Sequence, residues 1–519
     1  MLKIYFSLLL IASLFTPAST NAQEPYETRK SQTSGVEFSV SNYGIFGQNL
    51  MSDSGLYYPR GSGRGYLFSS GLWFGARKSV DDSVVDLSII TYNHGSGESW
   101  VDPGGWRRTA PEANTYLDRI SYSPEYRGSD GVWIGPSPRR PAWPLWNEGN
   151  SGPTLFDPGT FIGDSASREP GVLSGVPAFV PGVSEQFVSR FHDGNLARYE
   201  GDQVPGLPLG LQFEENIYAF AQPGLDNIVI LHYRIINVSG DTLMDCHAAR
   251  LSDPDLGKSS NDHSSYYAPR AELGSVYTFS ESTMGDGTRF GTFVETLLES
   301  PAVDEQPGEH HGFIRHDRRR YDRSEQVGAT TVWNVGIEDI PISPAMRYRF
   351  MASGRLDGDN GPGDKRTLLA TGPFTMLPGD TARFVIGLTI LPDLHGPNAG
   401  AQPVIEAAAE KVIRLYESES ISGVRENRSN GGALSIGAIH PNPASGSSTT
   451  LDLILPHRSA PRIQLVDALG RVALVRELGM LEAGTHSIRL DLDGVTPGVH
   501  QVIIETGAEH DSQTLIVPH

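Results

Sequence analysis

Asn227-Ile-Val-Ile-Leu-His-Tyr-Arg-Ile-Ile-Asn237 (NIVILHYRIIN) is almost continuous in apolar residues. It is too short for most helices and reads as a strand buried on both faces. Ala382 to Leu391 (ARFVIGLTIL) alternates more cleanly, with Phe384, Ile386, Leu388 and Ile390 facing one way and Arg383, Gly387 and Thr389 the other. Working outward, Tyr66 to Arg77 (YLFSSGLWFGAR) and Val84 to Ile90 (VVDLSII) fit two more strands. The helical spacing falls at Gln402 to Ser418, through Val404, Ile405, Ala408, Val412, Ile413 and Tyr416, with Pro403 in the first turn where its missing N–H costs little. The expectation is a mostly β body over about residues 30–420, made of one or two antiparallel β-sandwiches and closing with this one helix.

Composition agrees with that reading. The 58 glycines and 36 prolines suit strands joined by many turns, and 38% hydrophobic residues are enough for real cores. With 61 acidic against 41 basic residues the net charge is -20, which repels nucleic acid and anionic lipid. The single cysteine, Cys246, excludes an internal disulfide and reads as a small buried apolar residue. Ser96 to Pro170 is rich in Trp, Pro and Gly and reads as long loops. Its rings Trp100, Trp106, Trp133, Trp143 and Trp146 either fill a core beneath those loops or stack on sugars. The Pro/Gly-rich Val204 to Gly210 offers a point at which the body divides.

The two ends carry an address. Lys3, the apolar run Ile4 to Phe15, Pro17 and the small residues around Thr20-Asn21-Ala22 make residues 1–22 a signal peptide, with Gln23 as the mature start. No other stretch approaches the 18 apolar residues of a membrane span, so no integral membrane segment is expected. The body then covers residues 23–419, and Ser420 to Ala433, rich in Ser, Asn and Gly, is a linker at 420–433. From Leu434 to His519 the strands are legible: Leu451, Leu453 and Leu455; Ile463 and Leu465; Val472 and Leu474; Ile488, Leu490 and Leu492; Val502 and Ile504; Leu515 and Val517. Gly470 and Gly498 supply turn positions between them, and the pattern argues for a small β-sandwich.

Within this segment stand Pro441-Asn442-Pro443-Ala444, then Asp467-x-x-Gly470-Arg471, then Leu492-x-Gly494-Val495-x-Pro497-Gly498-Val499. In order and spacing they resemble the type A C-terminal sorting domain of the type IX (Por) secretion system. The resemblance implies an Ig-like sandwich at 434–519 that an outer-membrane translocon recognises and a sortase-like peptidase commonly cleaves, with the cargo often attached to surface lipopolysaccharide. It places the chain outside the cell or on its surface, after Sec export through the periplasm, and implies cyclisation of Gln23 to pyroglutamate. Two positions depart from the family: His500 stands where Tyr is usual and Gln513 where Lys is common, which bears on cleavage more than on fold. Gly71-Leu-Trp-Phe-Gly75, Leu251-Ser-Asp-Pro-Asp-Leu-Gly257 and Thr371 to Asp380 resemble segments of uncharacterised exported proteins bearing the same domain, which implies a shared fold and no known activity.

Candidate chemistry lies on two acidic loops. Asp357, Asp359, Asn360 and Asp364 share a Gly-rich loop, and hard cations such as Ca²⁺ take several oxygens from loops that fold around them. The spacing starts like an EF-hand, but Gly361 replaces a ligand and the closing Glu is missing, so a solvated turn competes with a metal site. Asp253, Asp255, Asn261 and Asp262 form the second loop, able to share a cation, to bond backbone amides, or to act as an acid–base pair. His310, His311 and His316 are spaced poorly for metal on a helix, and Arg318-Arg319-Arg320 reads as a solvated, salt-bridged face. The sequence holds no G-x-S-x-G elbow, H-E-x-x-H or P-loop. The leading expectation is a surface-displayed, non-enzymatic structural, adhesive or binding protein, with surface lipopolysaccharide or glycans as candidate partners. A secreted hydrolase of polysaccharide or peptide polymers and a calcium-stabilised carbohydrate-binding protein are the alternatives.

Overall fold

The computed structural model describes residues 26–48, 55–92, 99–105, 119–128, 142–145, 156, 176–195, 207–268, 274–305, 312–315, 321–396, 401–418 and 434–518, the last without the short turns at 446, 456–457, 468–470, 483 and 507–508. The signal peptide, Gln23, the 420–433 linker, Gly470, His310, His311, His316, Arg318 to Arg320, Trp106, Trp133 and Trp146 lie outside the described residues.

The longer strands of the body are β1 (Ser69–Val80), β2 (Ser83–Ile90), β3 (Glu185–His192), β4 (Leu211–Ala219), β5 (Ile228–Asn237), β6 (Leu243–Asp253), β7 (Asp262–Tyr267), β8 (Ser275–Ser280), β9 (Thr292–Glu299), β10 (Thr331–Gly336), β11 (Lys365–Met376) and β12 (Thr381–Leu391). Helix α1 (Pro344–Met351) lies between β10 and β11, and α2 (Ala401–Glu417) follows β12. Among the described residues they form a ten-stranded and a nine-stranded sheet. In the first, β2, β1, β6, β11 and β10 pair in that order; in the second the order is β7-β8-β9-β12-β5-β4-β3. One core draws Phe46, Trp73, Phe74 and Phe374 from the first sheet and Phe187, Phe213, Tyr233 and Phe384 from the second, so the body is a β-sandwich.

The deciding stretch sits at the centre of the second sheet. Val229, Leu231, Tyr233 and Ile235 of β5 face the sandwich core, while Ile228 and Ile230 on the opposite face are equally buried. A helix explains the second burial. Gly387 of β12 pairs with Ile230, and a Cβ on that glycine would lie 2.8 Å from Val412 Cγ2 of α2, so the missing side chain is what lets the helix come down onto the sheet. Ile405 of α2 packs with Val294 of β9 on the same outer face. Val404, expected on the buried face of the helix, is 44% exposed.

Helix α1 was not anticipated. Ser343 caps it by accepting from the Met346 amide, and Pro344 starts it, both ordinary helix-start signals. Its buried positions are Pro344, Arg347, Tyr348 and Met351. A charged residue on the inner face hides the apolar period; Arg347 fits there because its guanidinium lies over the rings of Trp100 (4.5 Å) and Trp73 (5.5 Å). Residues 204–206 lie outside the described residues; on either side of them β3 and β4 pair antiparallel from Glu185↔Ala219 to His192↔Gln212.

The chain separates into two compact units between Ile413 and Arg414, the second also taking in Leu145–Gly159 and Ala178–Val183. The C-terminal part of the second unit is a sandwich of β13 (Ser435–Ser445), β14 (Ser448–Leu455) and β17 (Gly484–Asp491) against β15 (Arg462–Asp467), β16 (Val472–Glu477), β18 (Gly498–Thr506) and β19 (Glu509–Val517). Leu451, Leu453, Leu455, Ile463, Leu465, Leu490, Val502, Ile504, Leu515 and Val517 fill its core, as the alternation requires. Val472 is the exception, 54% exposed, because a register shift between Leu465 and Val466 sets it opposite Val466 on the outer face.

Candidate functional site

The fold brings the two acidic loops side by side. The Asp262 carbonyl accepts from the Gly363 amide at 2.9 Å; Asp253, Asp255 and Asp364 gather around Arg366 at the start of β11, and Asp262 stands beside Asp255 and Asp364. Arg366 Nη1 bonds Asp253 Oδ1 at 2.8 Å and Asp364 Oδ1 at 2.6 Å, and the Tyr92 hydroxyl donates to Asp253 Oδ2 at 3.0 Å. Asp262 Oδ2 accepts from the Leu256 amide at 3.1 Å. Burial pushes Asp262 up to about 8 and Asp253 up to about 7, the latter against the pull of Arg366. Asp255 is raised as well, by burial and then by Asp364. Asp255 Oδ1 and Asp262 Oδ1 are buried without a hydrogen-bond partner. Among the described residues, no three His, Cys, Asp or Glu side chains are disposed to hold a metal ion.

Asp357, Asp359 and Asn360 do not join this cluster. They line a loop that runs along the outer edges of β7 and β10, one from each sheet. The Val332 amide donates to the Arg355 carbonyl at 2.6 Å and the Asp357 amide to the Val332 carbonyl at 3.1 Å, which fastens the loop to β10. The Tyr266 amide donates to the Asp357 carbonyl at 3.1 Å, which fastens it to β7. Side chains complete the seam. Asn334 Nδ2 reaches the carbonyls of Ser264 and Gly358, the Asn334 amide reaches Asp357 Oδ2 at 3.1 Å, and Asn360 Nδ2 reaches the Asn334 carbonyl at 2.9 Å. Arg355 pairs with Asp357 Oδ1 and Lys365 with Asn360 Oδ1. His263 of β7, stacked on Phe279, sits between Asp359 (2.9 Å) and Glu281 (3.3 Å). These oxygens are spent on closing the open side of the sandwich.

Sequence reading missed a buried charged network in the body. Arg250 donates through Nε to Glu295 Oε1 at 3.0 Å, through Nη1 to the Tyr233 hydroxyl at 3.2 Å, and through Nη2 to Ser70 Oγ. Ser252 adds a 2.6 Å bond to Glu295, and Glu215 accepts from Tyr233 and, at 3.0 Å, from Ser189. Burial raises Glu215 to about 7 and raises Glu295 too, although Arg250 opposes it. The signal was there. Glu215 shares its parity with Phe213 and Ile217, and Glu295 with Phe293 and Leu297, so strand alternation sends both carboxyls inward.

In the C-terminal unit the motif residues hold turns and strand ends. Asp467 accepts from the Arg471 amide at 2.9 Å and from its Nε at 2.7 Å. Asn442, between the exposed Pro441 and Pro443, donates to the Thr514 carbonyl at 2.7 Å and accepts from the Ile516 amide at 2.9 Å, tying the end of β13 to β19. Gly498 has φ of +143°, a conformation side chains disfavour. His500 is 2% exposed and its Nε2 bonds the Thr496 carbonyl at 2.7 Å. Gln513 lies on β19 opposite Val502. In the body, Cys246 is fully buried with its thiol on the Leu243 carbonyl, and burial pushes the thiol up. Trp100 and Trp143 are buried, the latter edge-on to Tyr126 at 5.2 Å, so these two indoles are core.

No family model and no curated protein matches the chain. Among solved structures it is similar to a polysaccharide lyase at 7% identity and a TM-score of 0.21, over 95% of this chain and 46% of that one. It is also similar to a Faecalibacterium prausnitzii β-glucuronidase at 13% identity and a TM-score of 0.14, over 51% and 41% of the two chains. The chain spans less than half the length of each, and likeness at these scores carries no argument about activity.

Proposed function

We propose that the chain is an exported protein of the type IX route, delivered by residues 434–519 to serve at the cell surface as a structural, adhesive or binding component. One observation carries the reading. The segment bearing the sorting motifs builds a core of its own, and Asn442, Asp467, Arg471 and Gly498 each fix a turn or a strand end in it. A translocon and a sortase-like peptidase are then its export partners, with surface lipopolysaccharide or glycans as later ones. A non-enzymatic body is supported by how its acidic loops are used: Asp253 and Asp364 answer Arg366, Asp357 answers Arg355, and Asp359 answers His263. The test is export from a type IX-competent bacterium. The full chain should reach the surface, and a chain lacking residues 434–519 should stay in the periplasm; surface delivery of the shortened chain refutes the route.

A calcium-stabilised body is the second reading, favoured by the partnerless buried oxygens of Asp255 and Asp262 beside Asp364. A hard cation accepts such oxygens and stabilises only the folded state. Melting with and without a chelator separates the two: a fall of several degrees supports calcium, and an unchanged midpoint supports the leading reading.

A further inference from the structure

A sheet edge presents a row of unpaired amides and carbonyls that another strand can complete. Along β7 this row is filled by something other than a strand. The Asp262 carbonyl takes the Gly363 amide, the Ser264 carbonyl takes Asn334 Nδ2, and the Tyr266 amide takes the Asp357 carbonyl. These three residues are spaced by two, as outward-facing groups on one edge must be. The loop that supplies two of these three caps is held by side chains from both sheets, Asn334 of β10 (which supplies the third cap), His263 of β7 and Lys365 of β11. It carries five residues of helix- and strand-breaking type in Gly358, Gly361, Pro362, Gly363 and Asn360, so it cannot itself become a further strand that extends the sheet.

We propose that the Arg355–Asp364 loop is an edge guard, and that displacing it opens β7 to antiparallel pairing with β7 of a second copy of this chain. The sequence of the edge fits that occupant. Laid antiparallel on itself with its outward-facing residues matched, the strand sets Asp262 opposite Tyr266, His263 opposite Ser265 and Ser264 opposite its own copy, with no carboxyl facing another. Pairing of one edge with its own copy is isologous, so it closes at two chains and does not propagate. The proposal does not depend on the export reading, since it concerns the body alone.

Two full-length variants test it. Asn334→Ala with Asp359→Ala removes the side-chain clamps, and deletion of residues 358–362 removes the reach of the loop. Light scattering after size exclusion gives the mass, and hydrogen exchange at the Tyr266 amide reports whether the cap has left. The wild type should be monomeric with a protected amide. A variant with an exposed edge should double in mass as concentration rises, and the amide should be protected again in the dimer. A folded variant whose Tyr266 amide exchanges freely and which stays monomeric overturns the proposal. Fibres that bind thioflavin T overturn it too, because they require a propagating contact. If neither variant folds, the loop is a condition of folding and not a guard, and the proposal fails.

Discussion

The body and the C-terminal unit both close two sheets over an alternating core, yet they treat charge in opposite ways. The body buries Arg250, Glu295, Glu215, Glu185, Asp193 and Asp262, each no more than 3% exposed. Between residues 434 and 518 the buried polar residues described are Thr449, His500 and Thr506. Taking a charge out of water costs several kcal/mol, and the cost is met only where partners are well placed. The core of the body is therefore crossed by long-range charged pairs such as Arg250–Glu295, whereas the described core of the C-terminal unit is built almost wholly of apolar packing.

That contrast can be broken at its strongest point. Arg250→Met leaves Glu295 buried without its cation and should cost about 4 kcal/mol, the usual penalty for one widowed member of a buried pair. Residues 434–519 contain none of the seven tryptophans, so denaturation followed by indole fluorescence reads the rest of the chain. A loss under 1 kcal/mol would mean that the network is dispensable.

Alkali should sharpen the contrast. Glu215 (about 7), Glu214 (about 7) and Asp262 (about 8) all lie above the ordinary carboxyl range because they are buried. Groups raised in this way contribute stability that is complete below the unfolded carboxyl value and is lost as pH rises through the folded one. The fluorescence-detected midpoint should fall between pH 5 and pH 9, by about 3 kcal/mol for each such group that ionises within the fold. The isolated segment 434–519, if it folds alone, should show no matching fall.

Glu215→Gln should remove one share of that alkaline loss, about 3 kcal/mol at pH 9, while leaving stability at pH 5 nearly unchanged, because the amide imitates the protonated acid. A variant with the full alkaline slope would shift the origin of the slope to the other carboxyls. The smallest effect belongs to the C-terminal unit. Asp467→Ala loses an exposed turn pair with Arg471 and should cost below about 1 kcal/mol, read from the urea midpoint of that segment.

The same contrast explains what could be read in advance. NIVILHYRIIN announced a strand covered on both sides, and the helix that covers it was visible in the spacing around Val412, with Gly387 as its seat. The strands from Leu451 to Val517 were legible because their core faces alternate with few buried polar groups, and Val472 slipped where a bulge broke the count. The acidic loops read as two separate carboxylate-rich stretches, and the approach of Asp364 in one to Asp253, Asp255 and Asp262 in the other was not legible. Their use was hidden, because the groups that answer them come from distant strands: Asn334 for the Ser264 and Gly358 carbonyls, His263 for Asp359, and Tyr92 for Asp253. Helix α1 was hidden by Arg347, whose charge is buried beneath two indoles that no local pattern connects to it.

The seat of α2 on β12 has a consequence for the order of events during synthesis. Strand β5 pairs with β12 from Ile228↔Thr389 to Ile236↔Thr381, and the helix over both is made later still. A ribosome must therefore finish nearly the entire body before the wall formed by Ile228, Ile230 and Gly387 has its cover. Until then the nascent chain keeps an unroofed greasy surface, which favours an extended, chaperone-held polypeptide over a prematurely compact one.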